Sequence, residues 1–593
     1  MAYALGNKTG GPGTADGGGA MLEEFGYTAL ANVGANGAST THSNGGGPQP
    51  KRRPKLTAKD RELLLVFGPA FARRWSFWTG ALRALVQGAL MGLVALGFYC
   101  AFEGFGDWAW NTDAYQEGLK HGGGALGQGR WWYVGMGAGA GATVGALKCL
   151  WSAFVCEMPA DLPGLFVEVK DLFCHHPWQA PCVVLCSAAS LACGCSVGPE
   201  AAMGAAGAAL GMGVSRAVAW WRGRALAFAQ RPRGPTTDES VVPSLETEMD
   251  VLTGMAGAMG AVFPSPLGGV LLLHELGLAA EATGDRRKLP SFMEVVVQTG
   301  LAAGTSYAVF VGLKKLTFLK AFKLPVSAND LVTFKVEDIG TSVWLGVVGG
   351  VVGLVGVVFL GLFRKLGDAV RTKLDALGAR CRLRFKLGLL LAPVVGGVLY
   401  GLLAVAFPLT LGDGNAQLKV VIAQGKHLGV GALVATAVGK MLALGVCLGF
   451  GFVGGQIFPL IFTGACVGMA LVVASCPDAA TAAPTAALTA APQLLDGYDD
   501  AFASSFDLGR PHRPPKCALD LVLVVPCMIV AVPCAFAPVV FTMVVITCML
   551  LELGGGMAAP VFVSGIVSFT TVCGLGIIQR LITRGKALDD DDE

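Results

Sequence analysis

Residues 189–211 read A-S-L-A-C-G-C-S-V-G-P-E-A-A-M-G-A-A-G-A-A-L-G, and they decide how the chain is built. An apolar run stops at Gly194, bends through Ser196-Val197-Gly198-Pro199, places one carboxylate at Glu200, and restarts as a helix of small residues. Non-helical backbone at bilayer depth is tolerated only where it is buried in protein or lines a cavity. Pro199 suits the first turn of a new helix, where its missing N–H costs nothing. The free amides of that turn carry partial positive charge, so an anion is the natural ligand there. Glu200 is then either a tethered anion at the mouth or a cap.

Working outward, the chain has 593 residues, is 53% hydrophobic and 14% charged, and carries 85 Gly. Its mean hydropathy is +0.59. This composition predicts an all-α polytopic membrane protein with apolar segments of about 20 residues each. The net charge of +3 argues against nucleic acid as a partner. No Ser/His/Asp order, H-E-x-x-H or P-loop marks an enzyme, and there are only seven His. Most of the 17 Cys stand singly in apolar runs, as small buried hydrophobes do. Cys193-Gly-Cys195 and Cys174-His175-His176 lack a second ligand pair at zinc-site spacing, so neither a metal nor another cofactor is expected.

Residues 1–70 read as a disordered cytoplasmic N-terminus, with Lys51-Arg52-Arg53-Pro-Lys55 as the positive flank ahead of the first span. Residues 71–582 read as the membrane domain, in halves of about 75–285 and 290–582. Spans are expected near 75–103, 131–154, 291–313, 342–363 and 387–407, with a shorter run at 180–193. Residues 364–386 read as a basic loop, 411–425 as a polar re-entrant segment, 476–517 as an extramembrane insertion and 583–593 as an acidic tail.

A second interruption, Phe263-Pro264-Ser265-Pro266, precedes a helix ending in His274-Glu275-Leu276-Gly277. A third, Gly449 to Gly455, feeds Gln456-Ile457-Phe458-Pro459 and a new apolar helix. Later, Pro538 and Glu552-Leu553-Gly554 echo Pro266 and Glu275-Leu276-Gly277. This paired order recurs about 260 to 280 residues apart and predicts an internal repeat with substrate between the halves. Periodicity leaves the relative direction of the halves open.

At these residues the chain resembles the CLC family of chloride channels and proton-coupled chloride exchangers, over roughly residues 75–580. Ser196-Val197-Gly198-Pro199-Glu200-Ala201 is similar to the family's G-[KR]-E-G-P motif, and Gly454 to Pro459 to its G-x-F-x-P motif. Phe263 to Leu271 resembles its N-A-P-L-A-G-x-L stretch. The resemblance implies an inverted repeat with broken and re-entrant helices, a homodimer with one pathway per subunit, and chloride or a similar monovalent anion as the transported ion. It makes Glu200 the gating carboxylate and Ser196, Val197, Gly198, Pro199, Gly455, Gln456, Ile457 and Phe458 anion-binding.

Four departures bear on mechanism. Ala160 stands where the family's G-S-G-I-P motif offers a serine hydroxyl, so an inner site relies on backbone there or the motif aligns elsewhere. Ile457 replaces a pore-lining phenylalanine, and Gly565 to Leu581 contains no tyrosine. Leu276 takes the place of the exchangers' proton glutamate, leaving His274 and Glu275 as candidate relays. The sequence thus favours passive conduction over proton-coupled exchange, in a multi-pass integral membrane protein surrounded by lipid; a non-conducting scaffold is the remote alternative.

Overall fold

The computed structural model describes residues 75–110, 131–155, 178–229, 245–263, 265–281, 292–314, 324, 334–382, 386–476 and 519–574. Within them the chain forms α1 (Trp75–Trp110), α2 (Trp132–Phe154), α3 (Ala180–Ala192), α4 (Glu200–Ala229), α5 (Leu245–Val262), α6 (Pro266–Glu281) and α7 (Phe292–Lys314). It continues as α8 (Val336–Arg380), α9 (Leu387–Ala406), α10 (Asn415–Gly449), α11 (Ile457–Ala474), α12 (Leu521–Cys534), α13 (Val540–Leu550) and α14 (Ala558–Gly574). Among the described residues, eight helices are long and apolar enough to cross a membrane. α3, α12 and α13 are apolar but have 13, 14 and 11 residues, too short to cross alone. α10 is two helices joined at Gly429, whose φ of 77° breaks the helical path, so residues 415–428 form a short piece of their own.

Close backbone approach at small residues holds the bundle together, as expected where lipid removes the hydrophobic incentive for helices to pair. α2 and α9 cross with Gly137 against Gly397, Gly141 against Pro393, Gly145 against Leu390 and Gly401 against Val134. The partners' numbers fall along α9 as they rise along α2, so the two helices run antiparallel. α2 is the second helix of the first half and α9 the second helix of the other. Equivalent helices running in opposite directions make the repeat inverted.

The same symmetry recurs away from the axis. Gly88 and Gly92 of α1 sit on Ala302 and Ser306 of α7, while Gly346 and Gly350 of α8 sit on Ser564 and Ser568 of α14. Gly207 meets Gly254 between α4 and α5, and Gly464 meets Met528 between α11 and α12. Between α1 and α5 an ion pair supplements this packing: Arg83 Nη1 reaches Asp250 Oδ2 at 3.0 Å, with Gln87 Nε2 on Oδ1 at 3.2 Å.

One expected loop is helical instead. α8 does not end at the apolar boundary near residue 363 but runs on to Arg380 through Arg364, Lys365 and Arg371. Its Leu, Ala, Lys and Arg are good helix formers, so charge ends the apolar stripe without ending the helix, and Gly367 against Gly449 and Gly388 against Arg371 pack this polar extension on its neighbours. The expectations for residues 1–70, for Ala160, for 477–517 and for 583–593 lie outside the described residues.

Candidate functional site

Two breaks meet at the centre of the fold. α3 ends at Ala192, and Gly194 turns the chain with φ of 77°; α10 ends at Gly449, and Gly451 turns it with φ of 95°. These are left-handed conformations that a side chain resists, which is why glycine stands at both. After the turns the strands pass each other. Gly198 N–H donates to Gly455 O at 2.8 Å, and Gly455 N–H donates to Gly198 O at 2.7 Å. The pair is an isolated antiparallel bridge between equivalent residues of the two halves, and it satisfies backbone groups that the breaks would otherwise leave unpaired.

Glu200 opens α4 and is fully buried. Its side chain turns back over the bridge and across to the other half. Phe458 N–H, in the first turn of α11, donates to Glu200 Oε1 at 3.0 Å, and the amides of Ile457 and of Glu200 itself face the same carboxylate. Oε2 is buried with no hydrogen-bond partner. The tethered carboxylate therefore occupies the place where the amides of one helix N-terminus would hold an anion. Gly198 and Gly455 make room for it, because a Cβ at either position would collide with the carboxylate.

Ser196, Val197 and Gly198 are buried in the first break, and the Ser196 hydroxyl has no hydrogen-bond partner. Pro199 immediately precedes α4. Gln456 lies at the start of α11 with its Oε1 buried and without a partner, while Ile457 and Phe458 are buried behind it. The Phe458 ring stacks on Phe263 from the end of α5, with centroids 6.0 Å apart and planes at 24°. The expected anion-binding residues that lie among the described residues thus converge on the bridge.

His274 and Glu275 do not join them. They lie on α6, with Glu275 nine residues, roughly 14 Å of helix, beyond its start at Pro266. Glu275 instead caps α13 of the other half. Its Oε1 accepts from Phe541 N–H at 2.7 Å, and its Oε2 accepts from Thr542 N–H at 2.9 Å and from the Thr542 hydroxyl. A cap on two otherwise orphaned amides is a structural use of this carboxylate.

Three residues with no expected role brace the breaks. Tyr400 of α9 is fully buried and donates its hydroxyl to Gly194 O, which also accepts from Gly412 N–H at 2.6 Å. Lys148 of α2 donates to Gly451 O. Each half thus braces the turning glycine of the other. Lys440, fully buried on α10, donates to Thr410 O at 3.0 Å and Gly412 O at 2.6 Å, and lies 5.2 Å from the centroid of the Phe462 ring. It fastens the 410–412 turn, and through Gly412 that turn holds the first break. A lone cation inside the apolar run Val438-Gly439-Lys440-Met441-Leu442 was the sequence signal for it.

A sequence profile of the family described as "Voltage gated chloride channel" matches residues 168–572, and the chain belongs to that family. The family's common work is anion transport. A Salmonella choleraesuis protein named for ion transport, YfeO, is 24% identical over 394 residues, covering 66% of this chain and 80% of its own. The solved structure of a slow cyanobacterial Cl⁻/H⁺ antiporter superposes with a TM-score of 0.59 at 16% identity, covering 86% of this chain and 98% of that one, and shares the inverted-repeat fold.

Proposed function

We propose that the protein is a channel for chloride or a similar monovalent anion, with its pathway through the contact of the two breaks and with Glu200 as the gate. The observation that carries this reading is the buried Glu200 carboxylate accepting from Phe458 N–H at 3.0 Å across the two halves. An anion entering from outside competes with that carboxylate for the same amides. Release of the side chain opens the path, and its return closes it. Partial charges at helix N-termini offset dehydration without binding the ion as a fixed cation would, so the ion can leave. Ser196 and Gln456 supply further polar groups beside the bridge.

Passive conduction is favoured over exchange because Glu275 is committed to capping α13 and Leu276, which stands where the family's exchangers carry their proton glutamate, cannot titrate. Proton-coupled exchange on the same fold is the second reading. It draws on Glu200 itself, whose unpartnered Oε2 could take a proton and release the carboxylate from the amides. We read the assembly as a homodimer with one pathway per subunit, as the family resemblance implies; a single intersubunit cross-linked species of twice the monomer mass tests it.

Anion efflux from proteoliposomes tests the gate. Glu200→Ala removes the competing carboxylate and is expected to raise the efflux rate and flatten its response to voltage. An unchanged rate and voltage response in a correctly folded variant contradicts it.

A further inference from the structure

α8 is longer than its membrane task requires. Its 45 residues extend about 67 Å, against about 40–45 Å for a whole bilayer with its headgroups. Its outward face in the apolar part is a stripe at helical spacing, Trp344, Val347, Val351, Val355, Val358 and Leu362, all exposed. The stripe does not stop where the charges begin. Leu366 is 45% exposed and Leu377 is 49% exposed, and between and beyond them Lys365, Lys373, Arg380 and Arg382 also face outward.

The depth of this segment follows from its neighbour. α9 begins its apolar crossing at Leu387, and its first turn lies against the end of α8. Gly388 N–H donates to Asp375 Oδ1 at 2.8 Å, Gly388 abuts the Arg371 carbonyl, and a Cβ at Gly378 would lie 3.0 Å from Leu387 Cβ. Residues 371–378 are therefore level with the start of a membrane crossing. Leu366 lies roughly 16 Å along α8 from Leu377, back toward the bilayer centre. Lys365 and Lys373 consequently leave the helix at or inside the bilayer boundary, where a lysine stem lies along apolar surface and its ammonium reaches up to the phosphate layer.

We propose that the outward face of α8 from Lys365 to Arg380, with Arg382 in the turn just beyond it, is a docking surface for the headgroups of anionic phospholipids. The leucines continue the lipid-facing stripe and take acyl chain. Lys365, Lys373 and Arg380 on that face, and Arg382 in the turn after it, take the phosphate. The two acids of this stretch do not cancel the charge: Asp375 is turned to Gly388, and Asp368 is paired at 3.8 Å with Arg371, which is not one of the four. The occupant is a lipid rather than a soluble anion because apolar and cationic side chains alternate along one face at membrane depth.

Native mass spectrometry of the full-length protein with added phosphatidylglycerol or phosphatidylcholine tests the proposal. The comparison is between wild type and the variant K365Q/K373Q/R380Q/R382Q, whose altered side chains are all exposed. Gel filtration and the melting temperature report folding for each. Wild type is expected to retain phosphatidylglycerol in preference to phosphatidylcholine, and the variant to lose that preference by roughly fivefold for each cation removed. The charge-preserving variant K365R/K373R is expected to keep it. Equal retention of the two lipids by wild type, an unchanged preference in the quadruple variant, or displacement of the lipid by millimolar inorganic phosphate overturns the proposal.

Discussion

Glu200 and Gly455 form a coupled pair at the residue scale. A Cβ at Gly455 would collide with the Glu200 carboxylate, and it would still lie 3.0 Å from Glu200 Cβ. Gly455→Ala alone is therefore expected to force the carboxylate off the α11 amides or to lower the yield of folded protein. Gly455→Ala combined with Glu200→Ala keeps only the Cβ contact and is expected to recover most of the loss. A double-mutant cycle on thermal stability reads the coupling, and additive effects contradict the packing described. Lys440 is the second residue whose removal matters. Lys440→Met leaves the buried carbonyls of Thr410 and Gly412 without their donor, which costs about 2–4 kcal/mol. A melting temperature equal to wild type would contradict its bracing role.

At the scale of elements, crossings and caps can be tested apart from the pathway. Gly137 lies on the Gly397 backbone, whereas a Cβ at Gly139, on the same helix, meets open space. Gly137→Leu is expected to separate α2 from α9 and abolish monodisperse protein on gel filtration, while Gly139→Leu is expected to be tolerated. Equal behaviour of the two would contradict the crossing. Glu275→Ala frees the amides of Phe541 and Thr542, and is expected to lower stability by about 1–3 kcal/mol without changing the anion selectivity of flux. A change in proton movement in that variant would return Glu275 to the relay.

The breaks were readable in the sequence because glycine and proline interrupting an apolar run have few uses in a membrane. Ser196 to Glu200 and Gly455 to Pro459 therefore announced themselves. The braces did not. Nothing in linear spacing ties Tyr400 to Gly194 or Lys148 to Gly451, since those contacts exist only after the two halves have packed. The helical continuation of α8 was hidden for another reason: its charges read as the end of the span, although its Leu, Ala, Lys and Arg are good helix formers.

At the scale of the whole molecule, inversion explains why a single carboxylate can serve the site. Two equivalent helices, α4 and α11, both begin at the axis, but only α4 begins with an acid; its equivalent start in the other half is Ile457. The molecule thus has two helix N-termini facing one place and one tethered anion to fill it, carried by one half and bound by the other. Glu200 is the asymmetric feature of a nearly symmetric centre, and on the proposed function this asymmetry is what lets one side chain open and close the path.

The most direct test records chloride efflux and external pH together in one proteoliposome vessel, for wild type and Glu200→Ala. Passive conduction predicts chloride efflux with no coupled proton movement in either protein, and a changed rate in the variant. Proton uptake in fixed proportion to chloride in the wild type, lost in Glu200→Ala, would contradict the channel reading and make the protein an exchanger.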